Sequence, residues 1–466
     1  MDEQTCDVAV IGAGTAGIAA YRAATEAGAK AVLVERGPGG TTCARVGCMP
    51  SKLLIAAAKA AHGARSADLF GIRVSGVSVD GRAVLERVRA ERDRFVGSVF
   101  DGLDKLPEGA RIAGTARFRD GSSLTIGDQT RITFRAAVIA TGSSPTVPKP
   151  LRGLGDRLLT TDTLFEIPDL PASLAVLGAG AVGIEIAQAM TRLGVRVTVL
   201  DSGDTAAGLS DLDLAAQAAE IFGAELELHL DATLEAATVD GDGVCLTWTD
   251  RDGRARETRA ERVLAATGRS PNLDDLRLEA AGLRLDEDGV PDFDRRSLVC
   301  AGAPILIAGD ADAWRPVLHE AGRQGRIAGA NAAALAARGA VATPEPSTSL
   351  ALVFTDPQIA VIGAPYDPDP DADGRVTGAV DFSDQGRARV DGANRGGLRI
   401  WADRDGTLLG AEMLGPAVEH LAHLLTHAIG DGKTAQAVLD QPIYHPTVEE
   451  GFSTALSEIT HKICQS

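Results

Sequence analysis

Cys43 and Cys48 stand five residues apart in the segment GTTCARVGCMPSK, residues 40–52, and paired thiols at a helix end suit a disulfide that opens and closes. Five residues of regular helix advance about 7.5 Å along the axis, beyond the roughly 7 Å Cα separation of an unstrained disulfide. A bond between them therefore needs a bent or irregular chain, and Gly47 supplies that freedom. Pro50 suits the first turn of a helix running over residues 52–61. Cys48 then falls near the helix N-terminus, where backbone N–H groups favour a thiolate. Two unrelated buried thiols are the alternative, because free cysteine is commonly an apolar filler. A zinc site fits less well: Cys6, Cys245, Cys300 and Cys464 are scattered singly, with no Cys-x2-Cys. A stabilising staple also fits poorly in a long chain without a secretory signal.

Residues 443–450, IYHPTVEE, carry a second group able to do chemistry. His445 is the candidate general base, since an imidazole can take a thiol proton near neutral pH and return it. Glu450, past a proline bend, is placed to hold the other ring nitrogen, with Glu449 as the rival. A capped helix start is the alternative, with Thr447 as N-cap and Glu450 closing a capping box. Both readings can hold together.

These groups need elements to position them, and two similar units supply candidates. Residues 7–17, DVAVIGAGTAG, lead a buried strand into Gly12, Gly14 and Gly17, followed by an alanine-rich helix and a strand ending at Glu35. The three glycines suit a tight turn, close approach to a pyrophosphate, and close helix–strand packing. The second unit repeats the pattern with Gly178, Gly180, Gly183 and a strand ending at Asp201. Glu35 lies 23 residues after Gly12, and Asp201 lies 23 residues after Gly178. Each acid is placed to bind a ribose hydroxyl. At Asp201 a carboxylate repels a 2′-phosphate, and residues 201–204 contain no arginine, which predicts NAD over NADP. Apolar strands also end at Thr141-Gly142 and Thr267-Gly268, each closing one unit. Another runs through residues 305–310 to Asp310, an acid suited to the sugar part of a flavin cofactor, or to a helix cap or turn.

The 466 residues predict about three domains. Apolar residues make up 45% and aromatics only 4%, which fits an Ala/Val/Leu-rich α/β protein. A net charge of −18 argues against sequence-independent nucleic-acid binding and against an anionic membrane surface. No basic n-region, apolar h-region or spanning run appears, so a reducing cytoplasm is the expected compartment. Near Ala342 the composition changes: residues 343–346 read as a linker and 367–373 as an acidic loop. Strand-like segments at 350–354, 397–401 and 407–414, then a helix from Ala417 towards Ile429, predict a separate α+β domain.

Together these residues resemble the FAD-dependent pyridine nucleotide–disulfide oxidoreductases, most closely the dihydrolipoamide dehydrogenases, over essentially the whole chain. The resemblance implies an α/β fold with two Rossmann-like dinucleotide-binding domains and an α+β C-terminal dimerisation domain. FAD would occupy 1–150, completed by 273–343; NAD would occupy 151–272; residues 344–466 would form the interface of a homodimer. Cys43 is then the interchange thiol that forms a mixed disulfide with substrate, and Cys48 the thiol lying against the flavin. His445 would reach the other subunit's cysteines. Lys52 would lie near the flavin's reactive nitrogen, paired with Glu185, although a surface lysine and a helix glutamate would look the same in sequence. The chain departs from the family's Gly-Gly-Thr-Cys-x-Asn-x-Gly-Cys at Thr41 and Arg45, and from its usual His-Ala at Ile443-Tyr444. Arg45 adds positive charge beside the pair, suited to lowering a thiol pKa or to an anionic dithiol. The implied reaction is oxidation of protein-bound dihydrolipoamide by NAD⁺, the dithiol sitting on the lipoyl domain of a multienzyme complex. Reduction of another disulfide or of mercuric ion is the enzyme alternative, and a flavin-loaded scaffold the non-enzymatic one.

Overall fold

A computed structural model describes residues 2–367 and 374–465. The acidic loop expected at 367–373 lies, apart from Asp367, outside the described residues. The fold is α/β, with two Rossmann-like domains and an α+β C-terminal domain. By contact density the chain forms two compact units. One comprises residues 1–50, 89–146 and 269–346; the other comprises 51–88, 147–268 and 347–466.

In the first unit, strands Ile305–Ile307, Ala136–Ile139, Val8–Ile11, Ala31–Glu35 and Arg111–Ala113 lie side by side in that order, all parallel. Residues 8–11 and 136–139 are buried throughout, the pattern of parallel strands covered on both faces. Helix Thr15–Glu26 crosses from Val8–Ile11 to Ala31–Glu35. Helix Leu318–Ala336 packs so closely on it that a Cβ at Gly325 or Gly329 would overlap the carbonyls of Ala16 or Ala20. Alanine and glycine faces permit that approach, which explains why so few aromatics are needed.

The second unit repeats the arrangement. Strands Leu158–Leu159, Arg262–Ala265, Ser173–Leu177, Arg196–Leu200 and Glu227–His229 form another parallel sheet. In both sheets the strand entering the glycine turn lies between the strand that follows its helix and the strand that runs into Thr-Gly. Strand order therefore reverses beside each glycine turn, which opens a crevice at the strand ends. The same unit contains the antiparallel C-terminal sheet, ordered Leu350–Val353, Gln358–Gly363, Leu408–Gly415, Gly397–Ala402, Val376–Asp381. Its core joins Ile400 and Met413 to Leu421 of helix Val418–Gly430 and to Leu456 and Ile459 of helix Glu450–Gln465.

The helix expected over 52–61 is longer, Cys48–Arg65. Pro50 is its third residue, where a missing N–H costs nothing because the first turn has no acceptor for it.

Candidate active site

Residues 42–48 do not continue as one helix. Thr42–Arg45 makes a single turn, capped by the Thr41 hydroxyl, which accepts from the Ala44 amide at 3.2 Å. Thr41 has φ 59°, a left-handed conformation that favours glycine, so the threonine exchanges glycine's freedom for a cap. The chain then curls back on itself. A Cβ on Gly47 would lie 3.2 Å from the Thr42 carbonyl oxygen and 3.3 Å from Cys43 Cα, so only glycine fits there without a shift. Cys48 follows at once as the first residue of its long helix, exposed, while Cys43 is half-buried. Arg45 ends the short turn, with its Nε buried and lacking a hydrogen-bond partner. Cys6 and Cys300 are core thiols whose pKa burial pushes up to about 12, which makes them inert.

Lys52 lies one helical turn beyond Cys48, on the same helix face. Its Nζ is 2.8 Å from Glu185 Oε2. Glu185 is only 4% exposed, and its second oxygen accepts from the Phe354 amide at 2.7 Å. A carboxylate this buried is tolerable because both oxygens are occupied.

The two glycine turns match atom for atom in what they exclude. A Cβ at Gly12 would overlap the Ala140 carbonyl, and one at Gly17 would overlap the Gly12 carbonyl. At Gly178 and Gly183 the obstacles are the Ala266 and Gly178 carbonyls. Gly14 and Gly180 face open space, and each caps its helix with no side-chain hydrogen bond. Glu35 accepts from the Ala13 and Gly37 amides, each at 2.7 Å. Asp201 likewise accepts from Ala179 and, at 2.7 Å, from Gly203. Each acid thus braces its own glycine turn.

Asp310 Oδ2 accepts from the Ser143 hydroxyl at 2.7 Å, and Ser143 Oγ accepts from Arg269 Nε at 2.8 Å. Asp310 does not cap a helix but sits within a short 3₁₀ turn, Gly309–Asp312, whose N-cap is Ala308. Ser143 and Arg269 escaped the sequence reading, although the signal was there. Both follow Thr-Gly, and the segments they open, Ser143–Pro145 and Arg269–Pro271, pair as an antiparallel ribbon.

Two residues beyond Asp310, the buried Asp312 accepts from the Trp314 amide at 2.8 Å. Burial nevertheless pushes its pKa up to about 6. The folded protein then holds a proton on Asp312 more tightly than the unfolded chain, so this group's contribution to stability falls as pH rises from about 4 to 6. Asp312→Asn should remove that component from the pH dependence of the unfolding midpoint. An unchanged slope in the variant would refute it.

His445 Nδ1 lies 2.8 Å from Glu450 Oε1, and its side chain is 81% exposed. Glu450 Oε2 accepts from the Thr447 amide at 3.1 Å, so one carboxylate both orients the ring and ties the loop. These bonds, that from His445 foremost, hold the Glu450 carboxyl below its usual range. The helix starts at Glu450, and the Thr447 hydroxyl donates to the Tyr444 carbonyl at 2.7 Å. The reciprocal capping box is thus only half formed. Glu449 lines an apolar hollow of about 700 Å³ beside Tyr444 and Phe452.

The family model for pyridine nucleotide-disulphide oxidoreductases matches residues 6–336, and the family's dimerisation domain matches 350–456. The chain belongs to the pyridine nucleotide-disulphide oxidoreductases. It is 33% identical to a mercuric reductase of Acidithiobacillus ferrooxidans, covering 100% of this chain and 84% of that protein. It is 32% identical to a dihydrolipoyl dehydrogenase of Halobacterium salinarum, covering 95% and 94%. The crystal structure of LpdA from Mycobacterium tuberculosis superimposes with a TM-score of 0.83 at 25% identity, covering 98% and 99%.

This oxidoreductase family uses FAD and a pyridine nucleotide. The residues present fit both. Open space at Gly14 and Gly180, under helix ends with no side-chain cap, suits two pyrophosphates. Thr141 Oγ1 is buried without a hydrogen-bond partner beside the open Gly142, a polar atom that a bound dinucleotide would satisfy. Gly268, exposed and open, stands at the corresponding point of the second unit. Among the described residues no helix is long and apolar enough to cross a membrane, and no group of three or more His, Cys, Asp or Glu could hold a metal ion.

Proposed function

We propose that this enzyme is a dihydrolipoyl dehydrogenase, working as a homodimer in which the cysteines of one subunit meet His445 of a second copy. The observation that carries the reading is the solvent-facing His445–Glu450 pair at 2.8 Å, a base held in one orientation and ready to exchange protons with a substrate thiol. His445 removes a proton from one thiol of dihydrolipoamide. The resulting thiolate attacks Cys43 of a Cys43–Cys48 disulfide, and Cys48 leaves as a thiolate. The second substrate thiol then attacks the substrate sulfur of the mixed disulfide. The proton of this second thiol passes to solvent, Cys43 leaves, taking the first proton back from His445, and lipoamide departs oxidised. The Gly12–Gly17 turn, Glu35, Thr141 and Asp310 would hold FAD, which would supply two-electron chemistry between the dithiol and a NAD that the Gly178–Gly183 turn and Asp201 would hold.

Asp201 supports NAD over NADP: its carboxylate is fixed by two amides, and no cation follows it in residues 202–204. The mercuric reductase among the relatives supports a second reading, reduction of mercuric ion. The test is dihydrolipoamide-dependent NADH formation, compared with NADP⁺, with glutathione disulfide and with Hg²⁺ as alternative partners. NAD⁺ should exceed NADP⁺ by at least tenfold, and Cys43→Ser should abolish turnover. Faster turnover of Hg²⁺ than of dihydrolipoamide would reverse the assignment.

A further inference from the structure

Helix Ala181–Arg192 directs three buried polar side chains, at i, i+3 and i+7, to the segment 354–356. Glu185 accepts from the Phe354 amide. Gln188 satisfies the whole backbone of Asp356, accepting from its amide at 2.8 Å and donating to its carbonyl at 2.9 Å. Arg192 donates to the Asp356 carboxylate at 2.8 Å, while Glu225 grips its other edge at 2.6 and 2.9 Å. Residues 354–356 therefore cannot shift without the helix.

Phe354 is what this clamp holds still. Its amide fixes one oxygen of Glu185 while Lys52 takes the other, and its ring centroid lies 4.6 Å from Lys52 Nζ. A lysine ammonium is a compact charge on a flexible stem, and a single contact to one carboxylate oxygen leaves it free to swing. An aromatic face beneath it removes that freedom.

We propose that Phe354 is a positioning residue for Lys52, holding its anionic partner through the main chain and its ammonium through the ring, with Gln188 and Arg192 locking Phe354 itself. The inference rests on the placing of Lys52 at the flavin's reactive edge, but not on the identity of the dithiol.

The test is the midpoint potential of FAD bound to the full-length protein, a readout that needs neither dithiol nor nicotinamide. Phe354→Leu should lower it by about 30 mV, a tenfold change in the two-electron reduction equilibrium. Phe354→Trp should keep the parent's value, and in a Lys52→Met background Phe354→Leu should add nothing. Should the leucine variant not fold, Gln188→Ala carries the test, since it frees the segment without touching Lys52, and its potential should fall in the same direction. A parental potential in whichever of these two variants is read, a tryptophan variant behaving like leucine, or an equal fall without Lys52 would overturn the assignment. Activity that prefers Hg²⁺ would sink the proposed substrate and leave this result standing.

Discussion

Replacing His445 with glutamine is expected to slow dithiol-dependent NADH formation by roughly 10²–10⁴-fold, the usual worth of a positioned general base. Glutamine keeps a hydrogen-bonding partner for Glu450 Oε1 and so preserves the loop, but it cannot carry a proton at neutral pH. The loss should therefore fall on kcat, with little change in the unfolding midpoint, because the ring is 81% exposed and supports no core. Glu450→Gln should cost less activity and more stability. It weakens the hold on the ring, and it disturbs the 3.1 Å bond from the Thr447 amide that ties the loop to its helix. Steady-state kinetics with a small dithiol, together with thermal melts, separate the two. A His445→Gln enzyme within threefold of the parent would remove the histidine from the reaction.

The second large effect is a contrast between glycines of one turn. Gly17→Ala places a Cβ onto the Gly12 carbonyl, against backbone that has nowhere to go. Overpacking typically costs about 1–3 kcal/mol, with the upper end expected against fixed backbone, and the strain falls where helix Thr15–Glu26 meets strand Val8–Ile11. The protein should melt much lower and be isolated without flavin. Gly14→Ala meets nothing within 4 Å, so the fold should keep its melting temperature when flavin is stripped from parent and variant alike. Its added methyl occupies the space over the helix N-terminus, and FAD affinity should drop at least tenfold. Flavin-to-protein ratio and differential scanning calorimetry read both. Equal behaviour of the two variants would show that the middle glycine does not face the cofactor.

Local chemistry made much of this molecule legible. A strand, glycine turn and helix can be read because their determinants are neighbours in the chain: buried β-branched runs, glycines that alone tolerate the turn, and an acid at the next strand's end. Helix lengths were less legible, as at Cys48–Arg65, because tolerance for Pro50 depends on how many first-turn amides lack acceptors. Ser143 and Arg269 carried only the Thr-Gly that precedes each, and Gln188 and Phe354 carried no local signal, since all four act through partners more than 120 residues away.

Residue order was enough to establish the α/β class, the doubled nucleotide units, the cysteine pair and the family, because each motif is carried by residues close in the chain and the motifs follow one another in order. Three-dimensional packing alone decided between Glu450 and Glu449 for His445, gave Glu185 the Phe354 amide as a second partner beside Lys52, and revealed which glycine of each turn faces open space. Those outcomes depend on distances of about 3 Å between atoms remote in sequence or competing at one loop, and such distances exist only once the sheets and helices have fixed the backbone.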